Sequence, residues 1–225
     1  MEIAPFRGLR FDLEKIKAEG EGALPVVTAP PYDVLSPQAH QELLDASPCN
    51  IVRLTLGDEP GEIPSYDGRA KLLEAWIESG VLTEEGTSAY YVCTVDYLVP
   101  GTETRARMVS LVALGRLHEF AERVVHPHEQ TFPKVVADRQ SLLEATRCNL
   151  ESILLLYNDP AEEIDSLLEE AAAGEPLIEV EAAPVSALMR VGGPDDDGDI
   201  GGLRSRSCLP LVAVEGAGSP LRVSK

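Results

Sequence analysis

Apolar side chains recur along this chain with two periods, and the places where one gives way to the other mark its elements. From Tyr66 to Ser79, Ala70, Leu73, Trp76 and Ile77 fall at helical spacing, and Gly80 is placed for a C-terminal cap. Ser36-Pro37 supplies a cap and a first-turn proline for a helix that carries Leu43 and Leu44 to about Ala46, where Ser47-Pro48 stops it. A third helix is predicted from Val135 to Arg147: Val135, Leu142, Leu143 and Thr146 face inward, while Lys134, Asp138, Ser141 and Ala145 share another face. Asp159-Pro160 opens an acidic helix that runs to about Ala173 and ends at Gly174.

Strand-like stretches alternate with these helices. Ala89 to Val99 and Thr104 to Leu114 are rich in β-branched and aromatic residues and flank Pro100-Gly101, which predicts an antiparallel hairpin. Val26 to Ala29, Ile51 to Leu56 and Ser152 to Tyr157 read as further strands, the last of them buried. The expected class is α/β (α+β), a mixed sheet with an antiparallel hairpin and flanking helices. One globular domain is expected over residues 1–180. No aromatic residue follows Tyr157, so 181–225 is expected to be a divergent, partly disordered tail, with 192–202 as a polar, glycine-rich loop.

Composition narrows the function. Across 225 residues, 38 acidic side chains stand against 19 basic ones, and 44% of positions are hydrophobic, enough for a core. A formal charge of −19 opposes the phosphate contacts on which nucleic-acid affinity rests, so no DNA or RNA partner is expected. No run approaches the ~18 apolar residues of a membrane span, and the first residues show no secretory pattern. Cys49, Cys93, Cys148 and Cys208 form no C-x-x-C pair, which fits reduced thiols and a cytoplasmic location.

Candidate chemistry concentrates between Arg116 and Asn149, where five basic residues (Arg116, Arg123, Lys134, Arg139, Arg147) balance five acidic ones (Glu119, Glu122, Glu129, Asp138, Glu144). Two readings of this neutral stretch stay open. His126 and His128, two apart on an extended segment, could share a metal with Glu129 or Asp138. Alternatively, His128, Lys134 and Arg139 form an anion clamp near a helix N-terminus, with Glu129 or Asp138 as general base on a substrate hydroxyl. Against both stands a plain surface pair, Lys134 with Asp138 at i,i+4, which the spacing taken alone favours. Pro30-Pro31-Tyr32-Asp33 forms a rigid loop of the kind that presents ligand groups, and Arg53, inside an apolar stretch, needs a carboxylate such as Asp33. The sequence holds no glycine-rich phosphate loop, G-x-S-x-G elbow or H-E-x-x-H helix.

Several of these pieces, in this order, resemble the domain of unknown function 1015 family. They are Pro5-Phe6-Arg7-Gly8-Leu9-Arg10, Pro30-Pro31-Tyr32-Asp33-Val34, Asn50-Ile51-Val52-Arg53-Leu54, Trp76 before Gly80-Val81-Leu82, His128-Glu129-Gln130-Thr131, Asp138-Arg139, and Asn149 through Asp159. The resemblance covers about residues 5 to 160 and implies a cytosolic protein without an assigned reaction. Longer members carry a later Asp-Gly-His-His-Arg motif similar to that with which ParB, sulfiredoxin and free serine kinases handle phosphate or nucleotide. The histidines here are His40, His118, His126 and His128, and none precedes an arginine. The resemblance therefore implies the family's front half, with a truncated or frame-shifted continuation from about residue 181. It also implies a ligand-binding part of a phosphotransferase or nucleotide-binding protein, taking a small anion or a nucleotide with Mg. Glu129 and Asp138 are the candidate catalytic residues, and Asp33, Arg53, His126, His128, Lys134 and Arg139 the candidate ligand contacts. The other expectation is a non-catalytic binding or regulatory domain in which the same loops only organise structure.

Overall fold

A computed structural model of the chain describes residues 1–17, 23–58, 60, 65–99, 101–127, 130–180 and 212–214. In chain order the strands are β1 (Ile3–Ala4), β2 (Gly8–Phe11), β3 (Leu82–Glu84), β4 (Tyr91–Leu98), β5 (Arg105–Val112), β6 (Leu114–Gly115), β7 (Cys148–Asn149) and β8 (Val212–Val214). The helices are α1 (Leu13–Lys17), α2 (Ala23–Val27), α3 (Pro37–Ala46), α4 (Val52–Thr55), α5 (Tyr66–Glu78), α6 (Pro133–Thr146) and α7 (Glu163–Ala172), with 3₁₀ turns at Tyr32–Val34 and Phe120–Glu122. The expected mixture of helices and strands is present. Every strand pair among the described residues runs antiparallel: β1 with β6, β4 with β5, and a four-stranded sheet in the order β3-β2-β8-β7.

The hairpin forms as its pattern predicts, in register from Tyr91 opposite Val112 to Leu98 opposite Arg105. Its two faces serve different neighbours because alternate side chains point opposite ways. Tyr91 and Cys93 pack with Phe6, whereas Val92 packs with Leu168, Ala171 and Ala172 of α7. The main core lies elsewhere: Leu9 and Phe11 of β2 meet Leu73 and Trp76 of α5, Leu54 of α4 and Leu142 of α6.

Helix boundaries follow local chemistry. Ser36 Oγ accepts from Ala39 N to begin α3, and Ser65 Oγ accepts from Gly68 N to begin α5. After α5 the chain turns at Gly80, whose φ of 76° favours glycine. Asp159 Oδ2 accepts from the N–H groups of Ile164 and Asp165, so it caps α7 from outside. The helix proper starts at Glu163 because Glu162 is left-handed, at φ 55°.

Three predicted strands are corrected. Val26 and Val27 close helix α2. The Asn50 amide donates to the carbonyls of Val26 and Thr28, and Ile51 N donates to Val27 O, so these groups find loop partners instead of a ladder. Ile51 to Leu56 is also helical over Val52–Thr55, with Ile51, Val52, Leu54 and Thr55 all buried. A short run buried on every side has no period that separates helix from strand, and the Asn50 side chain, accepting from Val52 N, starts the turn. Ser152 to Tyr157 is neither buried nor in a strand: Ile153 is 86% exposed and Leu156 88%. The loop expected at 192–202 lies outside the described residues.

Candidate functional site

Four helical segments and one loop bring polar side chains together beside the main core. Ser65 caps α5, which sets Tyr66 in its first turn and Arg69 three residues on, along the same face. The Arg69 guanidinium lies over the Tyr66 ring, 5.2 Å from its centroid. α5 packs against α6, and this brings the Tyr66 hydroxyl to Asp138, donating to Oδ1 at 2.7 Å. The other Asp138 oxygen accepts from Arg139 Nε at 2.8 Å and from its Nη2.

Arg139 is the hub. Its Nη2 also donates to the Thr55 carbonyl at the end of α4 (3.1 Å), and its Nη1 reaches Glu151 Oε2 at 3.4 Å, just beyond β7. Its plane stacks on Tyr32, 4.1 Å from the ring centroid. The Tyr32 backbone N–H in turn donates to the Glu151 carboxylate. The Pro30-Pro31-Tyr32-Asp33 loop and the Asp138-Arg139 pair are thus one structure, although 105 residues separate Asp33 from Asp138 in the sequence.

The two carboxyl groups bound to Arg139 are driven in opposite directions. Burial opposes ionisation of Asp138, but hydrogen bonds from Tyr66 and Arg139, with the charges of Arg139 and Arg69, outweigh it and hold the carboxyl below its ordinary range. For Glu151 burial wins over the help of Arg139 and the Tyr32 N–H, and the nearby Asp33 charge adds to the upward shift. The surroundings thus favour the charged form of Asp138 and the protonated form of Glu151, each relative to an ordinary carboxyl.

Arg69 is only 3% exposed. Its Nη1 donates to the carbonyls of Thr55 (3.0 Å) and Leu54 (3.4 Å), so both arginines meet at Thr55 O. Among the described residues its Nε and Nη2 are buried without a hydrogen-bond partner. Burial lowers the Arg69 pKa, and the neighbouring Arg139 charge lowers it further.

The sequence-predicted residues divide accordingly. Asp138 and Arg139 stand at the centre, and Asp33 lies exposed at the margin, acting through its charge on Tyr32 and Glu151. Arg53 is not part of the site. Its partner is Asp58 rather than Asp33, and it donates to the Leu44 and Ser47 carbonyls, tying α4 to the end of α3. Lys134 is exposed in the first turn of α6, and Asp138 turns to Tyr66 and Arg139 instead of forming the surface pair with it. His126 is exposed in the preceding loop, while His128 and Glu129 lie outside the described residues. Among the described residues no group of three or more His, Cys, Asp or Glu could hold a metal ion.

Sequence reasoning missed Tyr66, Arg69 and Glu151. A signal existed for Arg69, which lies four residues before Leu73 and seven before Trp76, squarely on the apolar stripe of α5. A shallow groove between β5 and α7, lined by Met108, Val109, Asp165, Leu168 and Glu169, contains none of these residues.

Fold and site together define an α/β protein with a partly buried arginine–carboxylate–tyrosine cluster at the junction of α4, α5 and α6. The chain belongs to the family described as Protein of unknown function (DUF1015), whose family model matches residues 3–201. The match extends beyond residue 160, where the recognised motifs end. Neither the curated proteins nor the solved structures contain a match to this chain. No helix among the described residues is long and apolar enough to cross a membrane.

Proposed function

We propose that the Tyr32–Asp138–Arg139–Glu151 cluster binds a small anionic ligand, a nucleotide or another phosphorylated hydroxyl compound, and that Glu151 carries protons for it. The supporting observation is that a single guanidinium holds two carboxyl groups side by side while their environments push them in opposite directions. Asp138, fixed by Tyr66 and Arg139, orients the arginine and stays charged. Glu151, whose proton affinity is raised, is the better general base for a substrate hydroxyl, the role phosphoryl transfer requires. This moves the base from Glu129 or Asp138 to Glu151. The Tyr32 ring supports the Arg139 guanidinium, and the exposed Asp33 follows it in the chain.

A second reading, a non-catalytic binding module, draws support from Arg139 itself. Its donors already serve Asp138, Glu151 and Thr55 O, which is how a structural arginine looks. Calorimetry and thermal-shift measurements with ADP, ATP, CTP and serine, each with and without Mg²⁺, separate these possibilities. A ligand at 100-fold excess over its Kd stabilises the folded state by about 2.7 kcal/mol. Binding that survives Glu151→Gln while turnover is lost supports the enzyme reading. Binding without turnover in the parent supports the module. A folded sample that none of these ligands stabilises would overturn both.

A further inference from the structure

Arg69 carries two donors that no hydrogen bond among the described residues uses. The side chain is nine-tenths or more buried, with its Nη1 spent on the Thr55 and Leu54 carbonyls. The unpartnered pair, Nε and Nη2, is the side-on edge of the guanidinium, whose two parallel N–H groups match the two oxygens of a carboxylate or phosphate. Arg139 turns its own Nε and Nη2 to a single oxygen of Asp138, Oδ2, one helix away. An arginine does not shed its proton to escape burial, so its open donors call for an acceptor.

We propose that the Nε–Nη2 edge of Arg69 seats one oxyanion group of the ligand, a phosphate or a carboxylate, which enters past Tyr66. The path is set by Tyr66, the half-buried ring that covers Arg69 and whose hydroxyl is held by Asp138. Displacing that ring opens the arginine edge while Asp138 keeps its bonds to Arg139. The inference rests on the reading of the cluster as an anion site and adds which residue holds the charged group and by which face.

The test uses the full chain and the ¹H–¹⁵N resonances of arginine Nε–H groups, titrated with inorganic phosphate in one arm and acetate in the other at constant ionic strength. The Arg69 Nε–H moves downfield and saturates with the anion that fits, and the arm in which it does so identifies phosphate or carboxylate. Arg69→Lys keeps the charge but loses the parallel edge and weakens binding roughly tenfold or more. If that variant does not fold, the assigned Nε–H of the parent still decides the matter. An Arg139 resonance that moves with saturation while Arg69 stays fixed refutes this seat and leaves the cluster reading standing. No movement at either arginine in a folded sample refutes both.

Discussion

Replacing Tyr66 with phenylalanine tests the centre of the cluster without disturbing its packing. The ring stays over Arg69, and one hydrogen bond disappears, from the hydroxyl to Asp138 Oδ1 at 2.7 Å. A hydrogen bond to a charged acceptor contributes about 1.5–3 kcal/mol, and a neutral one about 0.5–1.5. Asp138 keeps its bonds to Arg139, and its side chain is 31% exposed, so water recovers part of the loss. The expected cost at pH 7 is therefore about 1.5 kcal/mol, which for a chain of this size lowers Tm by roughly 3–6 °C.

The cost depends on pH in a defined direction. The folded-state pKa of Asp138 lies below its ordinary value, so the stability it contributes is complete above the unfolded pKa of about 3.9 and is lost as pH falls through the folded value. Tyr66 supplies part of that depression, so the gap between parent and Tyr66→Phe narrows toward the value of a neutral hydrogen bond as Asp138 takes up its proton. Urea unfolding followed by circular dichroism at pH 7 and again in steps below the unfolded pKa of about 3.9 measures both gaps. The reasoning fails if the variant matches the parent within about 0.3 kcal/mol at pH 7, or if the gap widens on acidification.

Two further outcomes check the assignment of core and surface. Leu156→Ser, at a side chain 88% exposed, changes stability by no more than about 0.5 kcal/mol, whereas Leu54→Ala, at a fully buried one, costs about 2–5 kcal/mol; urea midpoints of the two variants decide this. Cys148 is buried, and burial pushes its thiol up to about 11, so brief treatment with iodoacetamide at pH 8 leaves the peptide that carries it unlabelled until the protein is unfolded, as peptide mass mapping will show.

Elements with a partner already encoded nearby were legible in the sequence. Helix α3 announces itself through Ser36 and Pro37, α5 through its apolar spacing and Gly80, and the hairpin through an alternation that needs only its own two strands. The misread segments owe their form to contacts made far along the chain. Val26 and Val27 look like a strand until Asn50, 24 residues beyond Val26, takes the carbonyls around them. Ile153 to Tyr157 has the composition of a core strand and is nonetheless exposed, and composition carries no information about which surface a run faces. Among the site residues, Asp138 stood out as a candidate base and Arg139 as a candidate anion donor on a predicted helix. The surface pair between Lys134 and Asp138 was the natural inference from spacing, and it gave way because α5 offers a phenol and Arg139 offers a fork to the same carboxylate.

Placement of the cluster follows from the same competition. α4 is one turn long, and its last carbonyls, at Leu54 and Thr55, are buried where water cannot satisfy them. A cationic donor is the strongest available partner for such a carbonyl, and the chain supplies two, Arg69 from α5 and Arg139 from α6, both on Thr55 O. One would have sufficed for the helix end. Two like charges on one oxygen raise the cost of the site unless anions accompany them, and Asp138 and Glu151 answer for Arg139. Nothing among the described residues answers for the Nε–Nη2 edge of Arg69. The proposed oxyanion seat would answer that imbalance: a helix end needs one donor, and the second arginine is buried with its Nε–Nη2 edge open among the described residues.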